Sequence, residues 1–316
     1  MKILILADAH GTELKPLTDR TCKPLLPVAG KPVIAHTLEL LYRAGLREAT
    51  VLAGENRDQL EAQLAGGTAW GIQLDVLPQS ERMEDLEVSR AGERLLLIRG
   101  DVLIDLDLGE LLEKATRQGT GASVRTAYGY PVIRLMCNCD SGMPEQSEGL
   151  QMALSETAGN ALDTLQAYHR ANMDLLQGAC RHLKPAGIEL SYGIWSEPGT
   201  SLARDCIGSR NVFIGAASHA HHEVRFAGDC VISERVLIDR QARVGNTVIL
   251  PNTYVGAYTD LSNTIVWGNS LIRVDTGVIT AVADRHILAD ISPPDRDSRR
   301  RPSLKKRLLS AWKTCA

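Results

Sequence analysis

The sequence predicts an α/β domain with a parallel sheet, followed by a short parallel β-helix. Two observations support this prediction. Strand-like and helix-like segments alternate from residue 1 to about residue 127, which is typical of a parallel sheet covered by helices on both faces. From Ile207 onward, apolar residues recur at every sixth position, which is typical of a β-helix whose coils stack on one another.

The α/β part begins with the run KILILA at residues 2–7, which is short and apolar, as expected of a strand covered on both faces. A helical stripe follows in KPVIAHTLELLYRAG and ends at Gly45. Further strands are predicted at EATVLAG, IQLDVLP and RLLLIRGD, and further helices at NRDQLEAQLAGG and LGELLEKATRQG. In open sheets of this kind, ligands bind beyond the carboxyl ends of the strands. Both ADAHG and RGD lie at such ends.

The alternation stops between residues 128 and 160, where the polar segment CNCDSGMPEQSEG predicts a surface loop. A helix is predicted again at DTLQAYHRANMDLLQG. We therefore divide the chain into an α/β domain (1–178), a linker (179–205), a β-helix (206–282) and a basic, flexible tail (283–316).

The six-residue repeat is continuous over seven positions and then drops one residue. We expect each of these anchor residues to lie inside the β-helix and to stack on its counterpart one coil, or about eighteen residues, away. The anchors are Ile214, Ala220, Phe226, Ile232, Ile238, Val244 and Leu250, followed after the dropped residue by Val255 and Leu261.

The composition excludes several classes of protein. The 316 residues carry a net charge of −3, so nothing global indicates a nucleic-acid partner. The seven cysteines are scattered and odd in number, which does not fit a disulfide framework and fits a reducing compartment. No stretch approaches the roughly 20 apolar residues that a membrane helix needs. We therefore expect a cytoplasmic protein.

The segment LADAHGTELKPLT, at residues 6–18, contains residues that favour phosphate binding and residues that oppose it. A nucleoside triphosphate needs close backbone approach and positive potential at the end of a strand. Gly11, Thr12 and Lys23 meet that need. Asp8 and Glu13 oppose it, because carboxylates repel phosphate.

The stretch LADAHGTELKPLTDRTCKPLLPVAGKPVIAHTLELL closely resembles the start of sugar-1-phosphate nucleotidyltransferases. These NDP-sugar pyrophosphorylases include the mannose-1-phosphate guanylyltransferases, and their pattern is L-A-G-G-x-G-T-R-L-x-P-L-T followed by P-K-P-L-x-P-V-x-G-K-P. RGDVLID resembles the family's G-D motif, and TLQAYHRANMDLL resembles its T-P-E-D-Y-x-x-A-N segment. The resemblance implies a Rossmann-like nucleotidyltransferase domain, a short left-handed hexapeptide-repeat β-helix, and a role in nucleotide-sugar or polysaccharide biosynthesis.

The resemblance also implies a reaction. A sugar 1-phosphate attacks the α-phosphate of a nucleoside triphosphate, and Mg²⁺, an arginine and a lysine hold the negative charge as pyrophosphate leaves. If the protein is active, Mg²⁺ is thus its cofactor and Asp101 its metal ligand; otherwise we expect no cofactor. By the same resemblance, the substrate-binding residues are Gly11, Thr12, Lys23 and Gln79.

Several positions depart from the family pattern in the nucleotide loop. Asp8 and Ala9 replace the glycine pair that approaches the nucleotide. Glu13 replaces the catalytic arginine, and Cys22 replaces the proline before Lys23.

Other departures affect the base, metal and sugar subsites. The sequence after Gln79 is SERMEDLEV, where the family has a G-T-A loop, and no E-K-P segment occurs. Ungapped alignment puts Ala161 at the second metal aspartate, with Asp163 two residues away. Five independent departures predict that catalysis is lost. We therefore assign no catalytic residue and interpret Lys23 as vestigial.

Three functions remain open. The first is a catalytically degenerate family member that acts as a regulatory or scaffolding subunit and binds a nucleotide or nucleotide sugar weakly. The second is an active sugar-1-phosphate nucleotidyltransferase with an unusual site, forming an NDP-sugar and pyrophosphate. The third is an acyltransferase that works through the β-helix, although no distinctive acyltransferase segment is present.

Three remaining motifs bear on partners. HAHH, at residues 219–222, is interpreted as the surface of a coil turn because the repeat places Ala220 inward, and CNC has the wrong spacing for a zinc site. We expect the β-helix to mediate homo-oligomerisation or binding to a partner enzyme. The basic residues and Leu/Trp stripe of the tail indicate contact with an anionic membrane, or a solvated extension.

Overall fold

The computed structural model describes residues 1–79, 94–136, 149–201 and 211–293. Three features predicted above lie outside these ranges: the SERMEDLEV segment, nearly all of the CNCDSGMPEQSEG loop and most of the basic tail. Within the described residues, no helix is long and apolar enough to cross a membrane.

The N-terminal domain contains a seven-stranded sheet with helices packed on it. Its helices are α1 (Val33–Arg43), α2 (Arg57–Leu64), α3 (Leu108–Gln118) and α4 (Leu165–Leu176). Its strands are β1 (Lys2–Ala7), β2 (Pro27–Val28), β3 (Lys31–Pro32), β4 (Glu48–Ala53), β5 (Gln73–Pro78), β6 (Leu95–Arg99), β7 (Leu103–Ile104), β8 (Ala122–Arg125), β9 (Pro131–Met136), β10 (Leu150–Ala153) and β11 (Gly159–Asn160).

The large sheet has the strand order β10-β8-β9-β6-β1-β4-β5. Its four successive strands β6, β1, β4 and β5 run parallel, as the alternating pattern predicts. The sheet as a whole is mixed, because β9, which lies in the segment where the alternation stops, runs antiparallel to both β6 and β8. This strand follows a turn at residues 126–130, which closes a hairpin too short to hold a crossover helix.

Sequence signals set the ends of the helices. The extended Pro32 precedes α1, and the chain leaves that helix through Gly45, whose φ of +81° is left-handed. The side chain of Asp107 caps α3 by accepting a hydrogen bond from Glu110 N at 3.0 Å. The side chain of Thr164 caps α4 through Ala167 N in the same way.

The second part of the chain forms three further sheets. Their strands are β12 (Ile188–Ser191), β13 (Ile194–Ser196), β14 (Val212–Ile214), β15 (His219–Ala220), β16 (Arg225–Phe226), β17 (Cys230–Ile232), β18 (Leu237–Ile238), β19 (Arg243–Gly245), β20 (Thr247–Ile249), β21 (Thr253–Val255), β22 (Asp260–Ser262), β23 (Thr264–Trp267), β24 (Ser270–Arg273), β25 (Ile279–Ala281) and β26 (Leu288–Asp290). Within the predicted linker, β12 and β13 extend the largest of these sheets.

We call residues 211–267 the coil region. Its successive strands belong to the three sheets in turn. The chain returns to each sheet in parallel register, so that Ile214 pairs with Ile232 and Ile232 pairs with Ile249. The same succession links Ala220, Ile238 and Val255 in the second sheet, and Phe226, Val244 and Leu261 in the third. All nine side chains are buried in one apolar cluster.

One predicted anchor is wrong by a single residue. The counterpart of Ile232 is Ile249, and the dropped position lies between Val244 and Ile249. Leu250 is also buried, but it packs in the cluster that joins the coil region to the N-terminal domain. Ile249 and Leu250 are both apolar because one packs inside the coil region and the other packs against the N-terminal domain. The six-residue spacing alone therefore does not show which of the two is the inner anchor.

The largest sheet of the coil region packs against α4. Its outward side chains Phe213, Val231, Val248 and Ile265 are at most 1% exposed and share a cluster with Tyr168 of α4. Because one apolar core serves both parts, the coil region and the N-terminal domain form a single folded body.

Candidate functional site

The candidate site lies beyond the carboxyl ends of β1, β5 and β6. Asp8 follows β1, Gln79 follows β5, and Arg99 ends β6 two residues before Asp101. Since β6, β1, β4 and β5 are successive parallel neighbours, these side chains meet at the same edge of the sheet.

The loop after β1 keeps the compact shape predicted for phosphate approach. Gly11 has a left-handed φ of +69°, and a Cβ there would lie 2.8 Å from Thr18 Cγ2 and 2.9 Å from Lys23 Cβ. The Thr18 hydroxyl donates to Gly11 O at 2.7 Å. Thr12 begins a 3-10 turn that carries Glu13 beside Lys23. Only glycine fits this position without displacing the lysine.

Lys23 and Glu13 form an ion pair. Lys23 Nζ donates to Glu13 Oε1 at 2.8 Å, and only 7% of the lysine side chain is exposed. Burial alone would raise the pKa of Glu13, but the hydrogen bond and charge of Lys23 outweigh it and lower that pKa. The cation predicted to face phosphate is therefore already paired with the glutamate that stands at the family arginine position.

Arg99 forms a bidentate ion pair with Asp101. The guanidinium Nε donates to Asp101 Oδ1 at 2.7 Å and Nη2 donates to Oδ2 at 2.5 Å, while Asp101 is 1% exposed. Burial lowers the pKa of Arg99, but its hydrogen bonds and the charge of Asp101 raise it by more. Both carboxylate oxygens of the predicted metal ligand are thus occupied by a permanent cation.

Asp8 completes this second charge network. Its Oδ1 lies 3.5 Å from Arg99 Nη1, and its Oδ2 accepts a hydrogen bond from Gln79 Nε2 at 2.7 Å. The aromatic ring of Tyr130 lies under the same guanidinium, with its centroid 5.5 Å from Arg99 Cζ. Gln79, which is predicted to bind substrate, thus donates a hydrogen bond to the aspartate that replaces a family glycine.

Residues at the predicted second metal position follow β11, which pairs antiparallel with β7, the strand that begins two residues after Asp101. Ala161 and Asp163 line a cavity of about 240 Å³ together with Tyr128, Glu156 and Arg170. Arg170 pairs with Glu156 at 3.3 Å. Within the described ranges, no group of three or more His, Cys, Asp or Glu side chains could hold a metal ion. Because Arg99 holds both oxygens of Asp101 and Ala161 carries no ligand atom, the side chains at the two predicted metal positions do not fit the Mg²⁺ that the resemblance implies.

Sequence reasoning missed two members of the site. A sequence signal for Arg99 was available, because it is the first residue of RGD, at the end of a predicted strand and two residues before a predicted metal ligand. Tyr130 immediately precedes β9, in the stretch predicted to be irregular. Of the predicted site residues, Asp8, Gln79 and Asp101 meet in the Arg99 network, whereas Gly11, Glu13 and Lys23 form a separate group.

Comparisons with known proteins agree with this architecture. Residues 2–132 match the family model described as Nucleotidyl transferase. Glucose-1-phosphate thymidylyltransferase of Streptomyces griseus is 37% identical over 81 residues, which are 26% of this chain and 23% of that protein. N-acetylmuramate alpha-1-phosphate uridylyltransferase of Neisseria meningitidis is 36% identical over 125 residues, which are 37% of this chain and 53% of that protein.

A longer match is more distant. UTP–glucose-1-phosphate uridylyltransferase of Synechocystis is 22% identical over 339 aligned positions, covering 85% of this chain and 87% of that protein. Residues 2–132 therefore form a nucleotidyl transferase domain that is similar to those of several sugar-1-phosphate nucleotidyltransferases. The matched segments span less than two thirds of the first two relatives.

Proposed function

We propose that this protein is a catalytically degenerate nucleotidyltransferase that acts as a regulatory or scaffolding subunit in nucleotide-sugar or polysaccharide biosynthesis. The observation that carries the proposal is the bidentate Arg99–Asp101 pair. An active enzyme of this family needs cations directed at phosphate and carboxylates directed at metal. Here the cations and carboxylates of the strand edge are directed at one another.

Electrostatics argue against tight binding of a triphosphate. A carboxylate about 4 Å from a phosphate oxygen repels it by roughly 4 kcal/mol at an effective dielectric of 20. Glu13 and Asp8 each supply such a repulsion, which offsets the attraction of the neighbouring Lys23 and Arg99 for phosphate. Loss of an arginine that stabilises phosphoryl transfer costs about 10³–10⁵ in rate. Together these effects leave weak nucleotide or nucleotide-sugar binding as the residual property of the site.

A pyrophosphate-release assay tests the proposal. The protein is incubated with Mg²⁺, each common nucleoside triphosphate and several sugar 1-phosphates, and we expect no release above the protein-free background. Titration calorimetry with the same nucleotides should give no dissociation constant in the micromolar range. Asp8→Gly combined with Glu13→Arg should strengthen nucleotide binding without restoring turnover, because Arg99 still occupies Asp101.

One observation favours the alternative of an active enzyme with an unusual site. Lys23 remains buried beside the preserved Gly11 turn, as a catalytic lysine would require. Turnover by the unmodified protein with any substrate pair would establish that alternative and overturn the proposal.

We further propose that the coil region is a left-handed hexapeptide-repeat β-helix that mediates self-association or binding to a partner enzyme. One of its sheets is covered by α4, which leaves two faces for a partner. Light scattering is expected to show an assembly larger than one chain. A monomer that captures no pathway enzyme would contradict this.

The tail is proposed to contact anionic membranes through its basic residues, each worth about 1 kcal/mol near an anionic surface. Co-sedimentation with anionic vesicles should weaken with salt and disappear when residues 294–316 are removed. Equal binding to neutral vesicles would reject the proposal.

A further inference from the structure

One edge of the largest sheet in the second part of the chain is apolar and exposed. That sheet has the strand order β12-β13-β14-β17-β20-β23-β24-β25, so β12 has a neighbour on one side only among the described strands. Every residue from Gly187 to Tyr192 is exposed. Ile188 is 67% exposed, Leu190 60% and Tyr192 94%. Large apolar side chains and unpaired backbone groups at the same edge mark an interaction surface.

The sequence of this edge is that of a strand with one covered face. Residues 188–192 read IELSY, in which apolar and polar residues alternate. Such alternation is typical of a strand that buries its apolar side chains. The described part of a single chain nevertheless leaves all of them exposed. The pattern therefore indicates a contact that one chain does not make by itself.

The edge lacks two common features that prevent strand pairing. Edge strands are often blocked by lysine or proline, and neither occurs from Gly187 to Tyr192. The charged side chain in this segment, Glu189, accepts a hydrogen bond from Gly193 N at 3.0 Å, so one of its oxygens already has a partner. β12 is short and has a bulge between Glu189 and Ser191. These two features limit the contact to a few residues.

The segment is complementary to itself. IELSY gives the same order of apolar and polar residues in both directions, and a two-fold dimer joins a patch to its own copy. With the two strands antiparallel and the axis beside Leu190, Ile188 of one copy lies opposite Tyr192 of the other. An aromatic side chain opposite a β-branched one is a favourable cross-strand pair. Glu189 then lies opposite Ser191, so the two carboxylates do not face each other.

The opposite edge of the sheet is the other candidate for pairing with β12. β25 is exposed along its length, and its Ile279 is 51% exposed. Pairing β12 of one copy with β25 of the next would leave a free edge at each end, so further copies would add without limit. The two-fold contact closes after two copies and is therefore the arrangement that fits a defined assembly.

We propose that two copies of this chain associate through residues 188–192, with their β12 strands antiparallel and Leu190 beside the two-fold axis. This inference deepens the self-association put forward under the proposed function and rests on it. A typical stable interface buries about 800 Å² on each partner, and so short a segment supplies only part of that area. The dimer is therefore expected to dissociate in the micromolar range.

Sedimentation equilibrium on the full chain measures the association, and Leu190→Lys tests the surface. The lysine places two like charges beside the axis, which should weaken the association at least about tenfold. Ile279→Lys is the matched control, because it puts the same charge on the exposed opposite edge and should leave the dissociation constant unchanged. Both variants should keep the melting temperature of the parent, since both side chains are exposed.

Disulfide cross-linking tests the register. Leu190→Cys should give a covalent dimer on mild oxidation, because directly opposite Cα atoms lie about 4.5–5.5 Å apart, within the reach of a disulfide. Ile188→Cys and Tyr192→Cys should cross-link when the two variants are mixed, and much less when either is oxidised alone. Peptide mass spectrometry identifies the bond and separates it from any bond between native cysteines.

The inference is overturned if Leu190→Lys associates as tightly as the parent, or if the mixed variants form no bond between the two introduced cysteines. An assembly that is insensitive to Leu190→Lys leaves the proposed self-association standing, whereas a parent that stays monomeric at high micromolar concentration contradicts both. Polymers that grow with concentration and are lost in Ile279→Lys would assign the contact to β12 with β25 and overturn the two-fold arrangement.

Discussion

Replacing Arg99 with methionine tests the central ion pair. The variant leaves Asp101, which is 1% exposed, without the guanidinium that donates to both of its carboxylate oxygens. Removing one partner of a buried pair costs about 3–5 kcal/mol, because the remaining charge stays desolvated. Arg99 is itself only 16% exposed, so water does not easily replace it. We therefore expect a loss of about 3–5 kcal/mol in the free energy of unfolding.

Urea denaturation followed by far-ultraviolet circular dichroism measures this loss. The double variant Arg99→Met with Asp101→Leu replaces the ion pair by an apolar pair and should return to within about 1 kcal/mol of the parent. Lys114→Met is the matched control, because it breaks an exposed pair with Glu110 that is worth less than about 0.5 kcal/mol. A loss of less than about 1 kcal/mol in Arg99→Met, or no recovery in the double variant, would refute the reasoning.

Three other measurements test the fold. Burial lowers the pKa of His36 from 6.5 to about 3, so stability is full above pH 6.5 and should fall by about 2 kcal/mol between about pH 7 and pH 5; His36→Gln should flatten that slope. Gly30→Ala places a methyl group 2.1 Å from Phe213 Cζ and should cost more than about 2 kcal/mol in urea denaturation. Gly45→Ala, also left-handed but with nothing within 4 Å, should cost only about 1 kcal/mol. Burial raises the pKa of Cys230 to about 12, so native protein should resist thiol alkylation there, as peptide mass spectrometry can measure.

Elements governed by local pattern were predictable from the sequence. β1 and α1 carry strong periodicity and clear end signals, and they form where predicted. The anchors from Ile214 to Val244 are equally regular, and all of them are buried. The shift from Leu250 to Ile249 was not predictable, because it depends on α4 covering the outside of the coil.

The candidate site was only partly predictable, for a related reason. The resemblance indicated which positions had changed, including Asp8 and Glu13. It did not indicate that the changed residues would pair with Arg99 and Lys23, because pairing depends on side chains meeting at the strand edge.

The packing of the coil region on α4 has a consequence for the chain while it is being synthesised. The ribosome completes α4 at Leu176, but the ladder of side chains that covers it ends only at Ile265. Until that residue emerges, the newly made N-terminal domain carries an uncovered apolar surface that includes the inner face of α4. Chaperones that hold apolar segments have a binding surface during this interval. A chain terminated before Ile265 keeps that surface permanently, and we expect it to be retained by chaperones or degraded.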